Sequence, residues 1–235
     1  MGNDLGSGQE DDEMGRMKPA FAILLLFVAL GAGSCARFHR GETLMFARAG
    51  GDDLLGTGLI GWQQIGGQQD SWHFQDGILY TEGENGGWLA TRRQYDNFKL
   101  SLEFRVPPGG NSGVFIRSPL EGDPAYTGME IQILDDYAEQ WRNLNPYQYT
   151  GSIYGVQAPS ERATKQAGQW QEMVITARGP QIKVVLNGRK IIDTDVTYYP
   201  YKTDSHPGLT RDGGYLGLQN HGSRVEFRNI RIRVL

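Results

Sequence analysis

Apolar and polar residues alternate with a period of two along many short segments of this chain. Between residues 99 and 106, the alternate positions carry Leu100, Leu102, Phe104 and Val106. Successive side chains of a strand point to opposite faces of a sheet, so this period predicts β-strands with one apolar face. About ten to twelve such segments, joined by turn signals and without βαβ spacing, predict an all-β sandwich of two antiparallel sheets.

Local signals add detail to this prediction. Asp76-Gly77 and Asn187-Gly188 each separate two strand segments and are typical of hairpin turns. In the last segment, Val225 and Phe227 are out of phase with the apolar residues that follow Asn229. This slip near Arg228-Asn229 predicts a β-bulge.

Two segments between residues 111 and 136 carry unusual polar residues opposite their aliphatic positions. The aliphatic positions are Val114, Ile116, Met129, Ile131 and Ile133. The opposite positions include Phe115, Arg117, Glu130 and Gln132. We expect the aliphatic faces to build the core and the polar faces to look into a cleft.

Other strands show the same mixture of aromatic and hydrogen-bonding groups. Their residues on the polar side are Glu103, Arg105, Tyr215, Gln219 and His221. If these strands are neighbours in one curved sheet, the side chains line a single trough. Such a trough suits sugars, because planar amides and guanidinium groups bind hydroxyls while aromatic rings cover the apolar sugar face. The alternative is an ordinary solvent-exposed face.

Composition and charge narrow the function classes. The 235 residues include 23 basic and 27 acidic ones, a formal net charge of -4, which gives no support to nucleic-acid binding. The four histidines are scattered without ligand spacing, and no cofactor motif is visible, so we predict neither a catalytic metal nor a cofactor. A structural calcium ion at Asp135 and Asp136 is the one alternative.

Residues 1–35 are predicted to be a leader and export signal, followed by a single domain over residues 36–235. Arg16 and Lys18 precede an apolar run, residues 20–30, that is too short to span a bilayer. Small residues follow it, which is the pattern of an export signal. Because the residues before Arg16 are acidic, we expect translation to start at Met14 or Met17.

Cys35 is the only cysteine, so the domain has no internal disulfide. Ala32-Gly33-Ser34-Cys35 resembles the bacterial lipoprotein cleavage box, with Cys35 as the lipidated residue, although Ala32 stands where leucine is usual. Ordinary cleavage after Ser34 or Ala36 is the alternative. Either route places the domain in the periplasm or at the cell surface, with membrane attachment only through the lipid.

Five motifs in order carry a likeness to a known family. They read NSGVFIR, MEIQILDD, YTGSIYGVQAP, VVLNGRKI and GYLGLQNHGSRVEFRNIRI. They resemble the 3-keto-disaccharide hydrolase domain family, from about residue 61 to residue 235. The resemblance implies a concanavalin-like jelly roll and export from a bacterium.

The resemblance also bears on the chemistry. Glycosidases of the wider clan carry a strand reading E-x-D-x-x-E, of which Glu130 matches the first acid. Gln132 replaces the second acid and Asp135 shortens the last, and strict alternation points Glu130 and Asp135 to opposite faces. A retaining mechanism needs two carboxyl groups ~5–5.5 Å apart. This departure argues against hydrolysis of an ordinary glycoside.

A 3-keto sugar makes a carboxyl pair unnecessary, because the ketone acidifies the proton on carbon 2. A base removes that proton, the group on carbon 1 leaves, and water adds to the unsaturated product. The resemblance implies Glu130 or His221 as base and leaving-group acid, with the two roles open, and Arg117 beside the oxyanion. Further candidates for substrate binding are Gln132, Gln219, Glu103, Tyr154 and Phe115.

The expected ligand is an oligosaccharide or a 3-keto sugar. The ketone would come from a separate sugar oxidoreductase, on which this activity depends. Two alternatives use the same trough: a carbohydrate-binding module without chemistry, and an ordinary glycoside hydrolase that turns over unoxidised glycans.

Overall fold

The computed structural model describes residues 51–83 and 86–235. The described part contains thirteen strands and one short α-helix, α1 (Pro124–Thr127). The strands are β1 (Asp52–Asp53), β2 (Trp62–Ile65), β3 (Trp72–Gln75), β4 (Ile78–Thr81), β5 (Trp88–Tyr95), β6 (Phe98–Arg105), β7 (Asn111–Ser118), β8 (Met129–Leu134), β9 (Gln171–Arg178), β10 (Gln181–Leu186), β11 (Arg189–Asp195), β12 (Gly214–Gln219) and β13 (Glu226–Val234). The all-β prediction is confirmed.

The strands form two antiparallel sheets. The larger sheet has the order β11-β10-β9-β6-β13-β4-β3, with β1 paired to β13. The smaller sheet has the order β2-β5-β12-β7-β8. Strands that are distant in sequence are therefore neighbours in space: β12 lies between β5 and β7, which brings residues near 90, 115 and 217 together.

The core lies between the sheets and consists of the aliphatic positions that the alternation identifies. Val114, Ile116 and Ile131 are fully buried there, and Leu216 and Leu218 join them from β12. Complete burial of one such side chain contributes ~1.5–3 kcal/mol. Because Val114, Ile116, Ile131 and Ile133 must face the core, the register of β7 and β8 is fixed, and every second residue is directed outward.

The local turn and bulge predictions are also confirmed. Asn187 and Gly188 have φ values of 49° and 79°, and they connect β10 to β11. The pairing of β13 with β6 shifts register between Arg228 and Arg231, where Asn229 has a φ of 53°. The extra residue returns the apolar residues after Asn229 to the core.

Two acidic residues stabilise the long segment between β8 and β9 through hydrogen bonds to the backbone and to a threonine. Asp136 Oδ1 accepts hydrogen bonds from Thr150 N at 3.0 Å and Thr150 Oγ1 at 2.8 Å. Asp135 Oδ2 accepts one from Gly109 N at 2.8 Å. Burial raises the pKa of Asp136 above its ordinary value. Both acids considered for calcium thus brace loops, and the described residues contain no group of three or more metal-binding side chains.

The predicted leader, including Cys35, lies outside the described residues. Within the described part, none of the helices has the length and apolar character needed to cross a membrane.

Candidate functional site

The outward residues of the smaller sheet form two rows that cross the strands. In one row, Gly217 lies opposite both Ala90 and Phe115, and Phe115 lies opposite Glu130. In the next row, Gln219 lies opposite Trp88, and Gly113 lies opposite Gln132. The sheet therefore brings Phe115, Glu130, Gln132 and Gln219 onto one surface.

Gly113 makes room for the acid of this surface. A Cβ atom built on Gly113 would lie 2.0 Å from Glu130 Oε1 and 2.7 Å from the carboxyl carbon. The Glu130 side chain thus lies across β7, in the space that any other residue at position 113 would fill. This placement keeps the carboxyl close to the sheet surface.

Gly217 makes room in the same way for an aromatic ring. A Cβ atom there would lie 2.2 Å from Trp88 Cε3 and 2.5 Å from Trp88 Cζ3. The Trp88 ring meets the Phe115 ring edge-on, with centroids 5.5 Å apart and planes at 85°. The result is an apolar floor beside the acid.

Helix α1 builds one wall of the site. Asp123 caps it by accepting a hydrogen bond from Ala125 N at 3.0 Å, and Ala125 packs in one cluster with Phe115. The Tyr126 ring meets the Tyr154 ring at 6.3 Å. Sequence reasoning missed Asp123 and Tyr126, although Asp-Pro is a recognisable helix start.

Two adjoining cavities open on this surface. The first, which we call the acidic pocket, has a volume of about 220 Å³ and is lined by Asn111, Asp123, Ala125, Tyr126, Glu130, Gln132, Tyr154, Gln219 and His221. The second, the aromatic pocket, has a volume of about 460 Å³ and is lined by Gly86, Gly87, Trp88, Phe115, Asp123, Pro124, Gln219, Asn220, His221 and Gly222. Because the pockets share Asp123, Gln219 and His221, they form one continuous trough.

Glu130 is the most perturbed acid of the trough. Its side chain is 3% exposed, and within the described part of the chain no group donates a hydrogen bond to its carboxyl oxygens. Burial, assisted by the negative charge of Asp123, raises the pKa of Glu130 to about 8. An acid–base group acts best when its pKa lies near the working pH, so this carboxyl is suited to proton transfer.

Amide groups in the acidic pocket have unused hydrogen-bonding capacity. Asn111 Oδ1 and Gln219 Oε1 are buried without a hydrogen-bond partner among the described residues. Gln132 Oε1 accepts from Ile133 N at 3.1 Å, which leaves its amide nitrogen for other acceptors. Tyr154 is held by Gln148 Nε2, which donates to its hydroxyl at 3.0 Å. These groups can hold several hydroxyls of a small polar ligand.

The two histidines near the trough differ in exposure. His221 is exposed, lines both pockets, and lies in a turn in which Gly222 N donates to Asn220 Oδ1 at 3.2 Å. His206, which sequence reasoning missed, is buried and lies 5.0 Å from the Tyr126 ring. Burial, followed by the charge of Lys202, lowers the pKa of His206. His206 thus packs against the Tyr126 ring.

Arg117 is not in the trough, and its predicted place beside an oxyanion is wrong. Its φ is 52°, and the register of β12 shifts nearby, between Tyr215 and Gly217. The side chain is 1% exposed and donates to Asp96 O at 3.0 Å and to Arg211 O at 3.1 Å. Burial lowers its pKa. The positive φ ends the strict alternation, and Arg117 ties two loops together instead.

Glu103 is also not in the trough. It lies on β6, in the larger sheet, where Glu103 Oε2 accepts from Arg228 Nε at 2.8 Å and Oε1 accepts from Asn229 Nδ2 at 2.7 Å. Alternation identifies the face of a strand but not the sheet to which the strand belongs. The prediction of Glu103 as a ligand-binding residue is therefore wrong for this trough.

Comparison with known proteins agrees with this architecture. Residues 51–233 match the family model described as the 3-keto-alpha-glucoside-1,2-lyase-like domain. The chain is 24% identical over 221 residues to a 3-keto-disaccharide hydrolase of Bacteroides thetaiotaomicron, covering 77% of this chain and 76% of the relative.

Solved structures support the fold. A protein of Parabacteroides distasonis ATCC 8503, provisionally named a glycosyl hydrolase, is 33% identical with a TM-score of 0.71, and the match covers 78% of this chain and 98% of that one. A Bacillus subtilis protein with a galectin-like fold has 12% identity and a TM-score of 0.50, with 76% and 91% covered. The concanavalin-like jelly roll is thereby confirmed.

Proposed function

The chain belongs to the family of 3-keto-alpha-glucoside-1,2-lyase-like domains, and we propose that it cleaves the glycosidic bond of 3-keto-glycosides by elimination followed by hydration. The observation that carries this proposal is Glu130: a buried carboxyl with a pKa of about 8, in a pocket whose Asn111 and Gln219 amide oxygens have no hydrogen-bond partner among the described residues. A carboxyl of this kind suits proton transfer at carbon. Asp123, the other acid of the pocket, caps helix α1 by accepting from Ala125 N, so we assign it no part in a carboxyl pair of the kind that direct glycoside hydrolysis requires.

The reaction needs no further reactant than water. A base takes the proton from carbon 2, and the electron pair passes to the ketone oxygen at carbon 3. The bond from carbon 1 to oxygen then breaks, and the departing oxygen takes a proton. Water adds at carbon 1 of the enone while carbon 2 regains a proton, which restores the ketone. The products are a 3-keto sugar and a free alcohol.

Glu130 and His221 carry the proton transfers. The raised pKa makes the Glu130 carboxylate a stronger base than an ordinary glutamate, which favours the abstraction of a weakly acidic carbon-bound proton. His221 lines both pockets and can reach the departing oxygen at their junction. One positioned acid–base group typically contributes ~10²–10⁴-fold.

The ketone oxygen needs a donor other than Arg117. Tyr126 lines the acidic pocket together with Glu130, is 38% exposed, and its ring contacts Tyr154 and His206. We assign its hydroxyl to the developing oxyanion, where a hydrogen-bond donor has its largest effect. Gln132, Gln219 and Asn111 orient the sugar hydroxyls.

The test pairs Glu130→Gln with Glu103→Gln, an equally conservative change on the other sheet. With a 3-keto-glucoside in heavy water, the wild type and Glu103→Gln should release product with deuterium at carbon 2, beyond an enzyme-free control. Glu130→Gln should lose about 10²–10⁴-fold in kcat. Cleavage without deuterium uptake would rule out elimination, turnover of unoxidised glycosides would indicate an ordinary glycosidase, and binding without turnover would indicate a binding module.

The pH profile separates the roles of the two proton-transfer groups. If Glu130 is the base, kcat/KM rises with pH and levels off near pH 8; if it is the acid, kcat/KM falls above that value. The substrate ketone requires a separate sugar oxidoreductase. Export and lipidation at Cys35 remain predictions from the sequence.

A further inference from the structure

A third cavity lies on the outer face of the larger sheet. It has a volume of about 490 Å³, and we call it the basic groove. Most of its lining side chains come from five adjacent strands of that sheet, β11, β10, β9, β6 and β13. Because the trough lies on the outer face of the smaller sheet, the basic groove and the trough are on opposite sides of the sandwich.

The basic groove combines short apolar side chains with long cationic ones. Val174, Thr176 and Val185 lie on β9 and β10 and supply the short side chains. The cations of the lining are Lys99, Arg178, Lys183 and Arg233. Since lysine and arginine reach much further from the sheet than valine and threonine, their charged groups stand around an apolar floor.

Three of these cations lie in one row that crosses neighbouring strands. Arg233 of β13 lies directly opposite Lys99 of β6. Lys99 in turn lies opposite Thr176, and Thr176 lies opposite Lys183. Like charges directly opposite each other on antiparallel strands are destabilising. An anion bound between Arg233 and Lys99 would therefore offset a repulsion that the sheet contains.

The acids of the basic groove are too few to neutralise its cations. Asp193 Oδ2 lies 3.7 Å from Lys183 Nζ and 2.7 Å from Lys190 Nζ, so one carboxylate serves two lysines. Within the described part of the chain, neither Arg178 nor Arg233 has an ion-pair partner. Even with the terminal carboxylate of the chain counted beside Asp193, the lining holds four cations and two anions. The groove is thus complementary to an anionic ligand.

We propose that the basic groove binds acidic oligosaccharides, in which the sugar rings carry carboxylate groups. The row of cations crosses strands that are ~4.8 Å apart, which is close to the length of one sugar unit in a chain. Carboxylates on neighbouring sugars therefore meet the cations, while the apolar ring faces cover Val174 and Val185. A groove also fits a chain better than it fits a planar membrane surface, which would meet only the rim.

This inference is independent of the proposed function, because it concerns binding at a second site on the other sheet. The trough is poorly suited to the same ligand. Asp123 lines both of its pockets, and the Asp123 carboxylate repels the carboxylates of an acidic sugar. Binding of an acidic oligosaccharide therefore reports on the basic groove.

The test measures binding of tri-galacturonic acid and of maltotriose by titration calorimetry. The two ligands have equal numbers of sugar rings but differ in charge. At about 20 mM NaCl, the wild type should bind tri-galacturonic acid with a Kd at least about 10-fold lower than that for maltotriose. This Kd should rise by about 10-fold at about 300 mM NaCl, because salt screens exposed charges.

Lys99→Gln combined with Arg233→Gln removes the opposed pair and relieves its repulsion, so this double variant should fold. Its Kd for tri-galacturonic acid should be about 10-fold or more above that of the wild type. Arg92→Gln combined with Arg142→Gln is the matched control, because it makes the same change in net charge at exposed positions outside the groove. It should keep the wild-type Kd, and so should Glu130→Gln in the trough.

Equal Kd values for the two ligands in the wild type, or an equal loss of affinity in the control variant, would overturn the inference. Vesicles that contain phosphatidylglycerol provide a further comparison. If the wild type binds them but not tri-galacturonic acid, and the Lys99→Gln and Arg233→Gln double variant does not, the groove is a membrane-facing surface and the inference is wrong. None of these measurements uses turnover, so their outcome is separate from the success or failure of the proposed function.

Discussion

The outer faces of the two sheets show the same alternation in sequence but treat their acids in opposite ways. On the larger sheet, Glu103 is bound by Arg228, and Glu226 by Arg105 and Arg224. On the smaller sheet, Glu130 is buried beside Gly113 without such a donor. An acid with partners stabilises a surface, whereas a buried acid without partners lowers the free energy of unfolding.

The aromatic residues do not follow this division. Trp170, on the larger-sheet side, is half-buried under the guanidinium groups of Arg105 at 4.7 Å and Arg228 at 4.0 Å. Trp88, on the smaller sheet, is 4% exposed and packs edge-on against Phe115. The unpartnered acid, rather than an aromatic ring, therefore distinguishes the site from an ordinary sheet face.

The sharpest test of this difference is the pH dependence of stability. Glu130 has an ordinary pKa of 4.5 and a folded pKa of about 8, so the unfolded chain loses a proton that the folded chain keeps. The free energy of unfolding should therefore fall as pH rises between these values, by about 2 kcal/mol from pH 5 to pH 7.

Glu130→Gln removes this titration, and urea unfolding at several pH values checks it. The stability of the variant relative to wild type should increase by that amount over the same window. If the difference between variant and wild type is independent of pH, Glu130 has an ordinary pKa, and the contrast between the two faces fails.

The glycines offer a second test, on geometry rather than charge. Gly113→Ala should displace the Glu130 carboxyl, because the new Cβ would lie 2.0 Å from Oε1. A shift of about 1 Å in a catalytic group can cost about 10²-fold in rate. Gly61→Ala is the control, since a Cβ at Gly61 meets nothing within 4 Å, and its kcat should stay within about twofold of wild type. Equal kcat in both variants would show that the position of Glu130 does not matter.

Alternation predicts much of this molecule because burial enforces it. Inward residues such as Ile116 and Ile131 must pack between the sheets, so their outward neighbours are also determined. Alternation does not identify the sheet to which a strand belongs, so it predicts one surface for Glu103 and Glu130 although they lie on different sheets. It also fails at Arg117, where a positive φ breaks the period. The sequence does contain a signal for the floor of the trough: Gly113 and Gly217 are outward positions without side chains, and the Glu130 and Trp88 side chains occupy the space they leave.

The smallest expected effect concerns Arg117, which the resemblance to the family implies beside the oxyanion. Arg117 is the penultimate residue of β7, and its guanidinium donates to two backbone carbonyls, Asp96 O and Arg211 O. Arg117→Lys cannot reproduce this fork with a single ammonium group, so unfolding free energy should fall by about 2 kcal/mol. Because Arg117 lines neither pocket, kcat per folded molecule should change by less than about twofold. Urea unfolding and kcat are measured on the same samples. A loss of kcat with unchanged stability would indicate that Arg117 takes part in the reaction, and it would contradict the assignment of Tyr126 as the oxyanion donor.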